Sequence, residues 1–222
     1  DYITPRDVRA KLYIVVTSDR GLCGGYNINA LKKALADCED KETAKFIAIG
    51  KKAIDYLKKR DYNVVKSFSY ISENPDYQDA KAVADFAMDL YEKEAVDEIN
   101  LIYTRLISTI NQEATLLKLI PVAVAAEEET PSDDEEFRYV NYEPSPEVVL
   151  NYVIPKYIIS TVYGGLIESA AAEQAARRVA MESASDNAEE MIDELTLSFN
   201  HARQSAITQE ISEIVGGAEA LK

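Results

Sequence analysis

Hydrophobic and polar positions follow two regimes along this chain. Up to about residue 124, short apolar runs alternate with segments whose apolar residues recur at three and four. Residues 12–17 form an apolar, β-branched run bounded by SerAspArgGly, which predicts a buried strand. A helix over 26–38 follows, with Ile28, Leu31 and Leu35 on one face, then a strand over 45–50. A helix over 51–60 turns Ile54 and Leu57 inward, and a third strand covers 63–68. Ala80, Val83, Ala84, Ala87 and Tyr91 define the inner face of a longer helix over 77–94. Strands are predicted over 98–106 and 115–124, with Pro121 placing the last near an edge. Strands alternating with helices in this order predict an α/β fold, an open sheet with helices on its faces.

The second regime is one long helical pattern. No proline occurs from Tyr157 to Lys222, and Gly164, Gly165, Gly216 and Gly217 are its glycines. As a single helix this stretch would reach about 95 Å. Ile167, Ala171, Gln174, Arg178, Met181, Ser185, Ala188, Ile192, Leu195, Phe199, Ala202 and Ala206 follow one another at alternating steps of four and three. That 3.5-residue period keeps one seam facing a partner helix, as in a left-handed coiled coil. The seam is apolar from Met181 onward. Past Ala206 it shifts by one position, to Ile207, Ile211 and Ile214. Pro146 suits the first turn of a short helix over 147–152, Pro155 kinks it or starts the next, and Gly164 and Gly165 weaken the turns that follow. The domains expected are 1–144, the α/β part with an acidic loop at 126–136, and 145–222, the long coiled-coil helix.

Composition narrows the function. A hydrophobic content of 47 % and a charged content of 28 % fit an ordinary globular core. A net charge of −15 argues against nucleic-acid binding and against direct contact with anionic lipid. No apolar run approaches the ~20 residues that span a bilayer, so membrane association is expected only through partners. Two cysteines, Cys23 and Cys38, and one histidine, His201, give no metal spacing and no disulfide framework. No metal and no cofactor are expected.

The glycines of SerAspArgGlyLeuCysGlyGlyTyrAsn, residues 18–27, lie where a strand turns into a helix, the place for a phosphate cradle. Their spacing is neither GxGxxG nor GxxxxGK[ST], and no lysine follows to reach a phosphate. A tight turn with Asp19 as a cap is the plainer reading. Glu98, Arg105 and Glu113 read as surface charges without a catalytic context. The alternative kept open is a nucleotide-dependent α/β enzyme with a helical oligomerisation tail.

The runs GluGlnAlaAlaArgArgValAlaMet at 173–181, SerAspAsnAlaGluGluMetIleAspGluLeu at 185–195, AsnHisAlaArgGln at 200–204 and IleThrGlnGluIleSerGluIleValGlyGlyAlaGluAlaLeu at 207–221 closely resemble the C-terminal helix of the γ subunit of F-type ATP synthases. SerAspArgGlyLeuCysGly at 18–24 matches that family's signature, and TyrGluPro at 142–144 resembles its foot segment. The resemblance implies a Rossmann-like stalk domain with no active site of its own, followed by a helix along the axis of a hexamer of α and β subunits. It implies rotary coupling of proton flow through the c-ring to nucleotide affinity in β. Arg20, Cys23, Arg203, Gln204, Thr208 and Glu210 match positions that approach β. Tyr142 and Glu143 match the contact with the c-ring, where Arg138 and Asn141 depart from the aromatic and apolar neighbours of the family. Met181, Ala188, Ile192, Leu195, Phe199, Ala202 and Ala206 are expected to form the coiled-coil seam. Further partners implied are an ε-type subunit and the membrane through the c-ring, on the cytoplasmic face of a bacterial plasma membrane or, as the alternative, the matrix side of the mitochondrial inner membrane. The family's N-terminal helix has no counterpart before Leu12, so the seam is expected to pair with something else, such as a second copy.

Overall fold

The computed structural model describes residues 2–3, 6–38, 40–122 and 145–220. The element order is β1 (Lys11–Val16), α1 (Tyr26–Asp37), β2 (Lys45–Ile49), α2 (Lys51–Lys59), β3 (Val64–Phe68), α3 (Tyr77–Glu92), β4 (Glu98–Leu106), β5 (Gln112–Ile120) and α4 (Pro146–Ala220). The five strands form one sheet in the order β3-β2-β1-β4-β5. β1 pairs in parallel with β2 and β4, and β2 with β3, while β5 runs antiparallel to β4. The antiparallel edge sets in three residues earlier than the apolar run suggests. Gln112 and Glu113 are polar but pair with Leu106 and Arg105 across the hairpin, so backbone pairing, not side-chain pattern, sets where β5 begins.

Alternation along β1 gives the sheet two buried faces. Leu12, Ile14 and Val16 face one cluster, with Ile47, Ile49 and Leu101 and with the inner residues of α3. Tyr13 and Val15 face the other, with Phe46, Ala48 and Ile102 against α1 and α2. The buried face of α1 is Tyr26, Ala30, Leu31 and Ala34. Ile28, expected inward, is exposed. Asp76 caps α3 and exchanges bonds with Asp79 in a capping box.

Helix α4 completes the first face. Ile154, Ile158, Ile159, Val162 and Leu166 join the same cluster as Leu12 and Leu101. It runs as one helix from Pro146, through Pro155, rather than as a short helix and a restart. Gly165 has a packing role: a Cβ there would lie 2.8 Å from Leu101 Cδ2, so a bare backbone lets the helix approach β4. Glu98 is not a surface charge. It is buried, with Lys118 Nζ at 2.6 Å and Lys11 Nζ at 3.9 Å, and it accepts from Asn100 Nδ2 at 2.8 Å.

The chain divides into two compact units, Asp1–Arg178 and Val179–Lys222. The boundary expected from the sequence, at 144/145, falls where α4 begins, whereas by packing the first part of α4 belongs with the sheet. The second unit is helical throughout its described residues, and none of their side chains is buried.

Candidate functional site

Strand order reverses between β1 and β4, because the chain winds outward from β1 in both directions. In open α/β sheets the crevice beyond the strand ends at such a point is the usual ligand site. Here it is filled from within the chain. Cys23, Tyr26 and Ala172 form a buried cluster with Leu106 and Ala176. The Tyr26 hydroxyl donates to the Ser169 carbonyl at 3.1 Å, and burial holds its pKa above the ordinary tyrosine value. The β4 end is capped from α4 too: Thr104 N–H donates to Ser169 Oγ and Leu106 N–H to Glu168 Oε1, both at 3.1 Å. A nucleotide would have to displace these side chains, which weighs against the enzyme alternative.

The turn after β1 is braced by its own polar residues. Asn27 Oδ1 accepts from the Ser18 backbone N–H at 2.8 Å, and Asn27 Nδ2 donates to Ser18 Oγ at 2.7 Å and to Cys23 Sγ at 3.1 Å. Ser18 Oγ also donates to the Arg20 carbonyl. Asp19 does not cap α1, whose cap position is Gly25 without a side-chain bond. Instead its carboxylate accepts from Lys51 N–H at 3.0 Å, Tyr70 N–H at 2.9 Å and Ser72 Oγ at 2.8 Å. One carboxylate thus ties three segments together at the strand ends.

These bonds decide which side chains of the turn meet solvent. Arg20 is exposed and pairs through Nε with Glu73 Oε1 at 3.0 Å. Leu22 is 75 % exposed at a φ of 64°. Holding a branched apolar residue there costs on the order of 1 kcal/mol. Cys23, expected on the contact surface, is 2 % exposed. Its side chain turns inward because Asn27 and the Tyr26 cluster claim it, so the outward side chains are Arg20 and Leu22.

In the second unit, Arg203, Gln204, Thr208 and Glu210 are all exposed. The Thr208 carbonyl accepts from Ser212 Oγ at 2.8 Å, a local bond that leaves its side chain outward. The seam residues Met181, Ala188, Ile192, Leu195, Phe199, Ala202 and Ala206 are exposed as well, Ile192 at 61 % and Phe199 at 65 %. Before them, Ile167, Ala171, Gln174 and Arg178 also face outward, while Leu166, Ser169, Ala172 and Glu173 make the buried side. Tyr142, Glu143 and the acidic stretch 126–136 lie outside the described residues. Leu22, Asn27, Ser169 and Glu173 were not singled out from the sequence. The i, i+4 spacing of Glu173 and Arg177 was the available signal for the last. Among the described residues no cluster of His, Cys, Asp and Glu is arranged to hold a metal, and no helix is long and apolar enough to cross a membrane.

The sequence matches the ATP synthase family over residues 1–221. The ATP synthase gamma chain of Alkaliphilus metalliredigens is 51 % identical over 225 residues, covering 100 % of this chain and 77 % of that protein. A sodium ion specific ATP synthase gamma chain from Acetobacterium woodii is 44 % identical over 234 residues, covering 99 % and 78 %. In fold, the chain is similar to one in the Euglena gracilis mitochondrial ATP synthase, solved as OSCP/F1/c-ring in rotational state 3, with a TM-score of 0.72 at 21 % identity over 96 % of this chain and 73 % of that one. It is also similar to one in the central stalk and c-ring of the Tetrahymena thermophila mitochondrial ATP synthase, with a TM-score of 0.63 at 24 % identity over 82 % and 79 %.

Proposed function

The chain belongs to the ATP synthase gamma-chain family, and from that premise we propose that it is the central rotor shaft of an F-type ATP synthase, without an active site of its own. Its partners in this reading are the α and β subunits, an ε-type subunit and the c-ring, and it meets the membrane through them, on the cytoplasmic face of a bacterial plasma membrane. The observation that carries the reading is the stripe of Ile192, Leu195 and Phe199 on a stretch of α4, residues 179–219, in which no side chain is buried. Apolar side chains at a 3.5-residue period need a partner helix to remove them from water.

The work is mechanical. A rigid element that presents a different side to each of three β subunits gives each a different nucleotide affinity, and the difference is a coupling free energy that rotation passes from one site to the next. Arg203, Gln204, Thr208 and Glu210 are proposed to touch β from the helix, and Arg20 with Leu22 from the turn after β1. Tyr142 and Glu143 are proposed to meet the c-ring, and proton flow through that ring is proposed as the driving force. Residues 1–144 would serve as the stalk and 145–222 as the shaft.

The test is the double substitution Ile192→Asp and Phe199→Asp in the native complex. Two carboxylates on the stripe are expected to abolish co-purification of α and β and to reduce ATP synthesis at least a hundredfold, since each buried unpaired charge costs several kcal/mol. A double variant that assembles and couples like the parent would sink the rotor reading.

A further inference from the structure

The turn after β1 and helix α4 meet around a carboxylate shielded from water. Glu173 is 0 % exposed, and its Oε1 accepts from Nη2 of Arg177, one helical turn on, at 2.6 Å. Its Oε2 is buried with no hydrogen-bond partner among the described residues. Cys23 and Tyr26 come from the turn and the start of α1, and Ala172 and Ala176 from α4, to form the apolar cluster at this junction. Burial pushes the Glu173 carboxyl above its ordinary range. Arg177 draws it back, and Glu73 and Asp19 push it further up. Glu73 also pairs with the exposed Arg20.

A buried carboxylate is tolerated while a cation sits on it, and removing that partner is far more disruptive than removing both. Without Arg177, Glu173 keeps its charge only where water reaches it. Helix α4 is held by Ile158, Val162 and Leu166 in the main core. The turn, by contrast, is held by Asn27, Ser18, Asp19 and the Cys23 packing, so it is the side that gives way.

We propose that Arg177 is the positioning residue of the Arg20–Cys23 turn: by neutralising Glu173 it keeps the turn shut on α4 and so fixes where Arg20 and Leu22 stand toward a partner subunit. The consequence for coupling rests on reading the turn as a β contact. The geometry of the closure does not.

The experiment uses the purified complex and reads two quantities: the rate at which iodoacetamide modifies Cys23, by peptide mass, and the protons pumped per ATP hydrolysed. Arg177→Met is expected to speed Cys23 modification about tenfold and to lower the pumping ratio, because an ionised Glu173 without its cation draws water into the junction and opens the turn. The double variant Glu173→Gln with Arg177→Met leaves no buried charge and is expected to bring both readings back to within about twofold of the parent. If Arg177 merely fills space, the double variant stays as open as the single one. That result, or a Cys23 as protected in Arg177→Met as in the parent, overturns the proposal. Should Arg177→Met prevent assembly, Arg177→Lys keeps the charge without the forked geometry, and about a threefold rise in Cys23 modification is expected; no rise there also overturns it. Failure of the parent chain to assemble with α and β would count against the rotor reading instead, and Cys23 modification in the free chain would still judge the turn.

Discussion

Two stretches of helix α4 carry side chains of the same kind and treat them differently. Ile158, Val162 and Leu166 follow one another at steps of four and are buried against β4 and its neighbours, whereas Ile192, Leu195 and Phe199 follow steps of three and four and stand more than half exposed. The spacing itself separates them. A helix lying on a sheet needs a broad face and can drift around its axis, so fours in succession suffice. A helix held against another helix must keep one narrow seam, so threes alternate with fours. Periodicity therefore shows that a face is meant to be covered.

Truncating a side chain in each stretch breaks the comparison most directly. Ile158→Ala is expected to cost about 3 kcal/mol in urea unfolding of the isolated chain, from lost burial and the cavity left behind. Ile192→Ala should change the same quantity by less than about 0.5 kcal/mol. Equal losses at the two positions would mean that the second stretch already buries its stripe in the isolated chain, for instance against a second copy, and sedimentation would then show a dimer.

Charge sharpens the contrast. In the first stretch Glu173 has its carboxyl pKa raised by burial, so the folded state holds the proton more tightly than the unfolded one. Its contribution to stability is fully present below the unfolded pKa and fades as pH rises through the higher folded value. Unfolding measured at acid and neutral pH should find Glu173→Gln gaining on the parent as pH rises. A constant difference between the two proteins would show that Glu173 does not titrate differently on folding.

The glycines give the smallest effects, of opposite sign. Gly165→Ala must push Leu101 aside and is expected to cost about 1 kcal/mol. Gly216→Ala meets nothing within 4 Å and should favour the helix by roughly 0.5–1 kcal/mol. Thermal melts followed by circular dichroism would read both, and a stabilising Gly165→Ala would deny the close approach of α4 to β4.

Much of the α/β fold was legible because each strand run and helical face carried its own period: the inner residues of α3 stand where the threes and fours place them. What escaped the pattern depends on partners distant in sequence. Asp19 reads as a local cap because it precedes a helix, yet its partners Lys51, Tyr70 and Ser72 lie 32 to 53 residues away. Glu98 reads as exposed because nothing nearby announces the lysine that β5 brings to it. Gly165 looks like a weak point in a helix until Leu101 is seen beside it. For the candidate site, the SerAspArgGlyLeuCysGly wording draws attention to the turn after β1, but only the packing of Cys23 and Tyr26 under Ala172 distinguishes its inward side chains from its outward ones.

The core cluster that joins Leu12 and Leu101 to Ile154, Ile158 and Leu166 also sets an order of events during synthesis. β1 leaves the ribosome well before α4, so part of the sheet face it helps to build gains its cover only once α4 has emerged. At roughly 5–20 residues per second, that face waits several seconds after β5 before its last layer arrives. A nascent chain in that interval presents Leu101 and its neighbours to whatever is close by, which makes it a natural client for a holding chaperone until the helix closes over it.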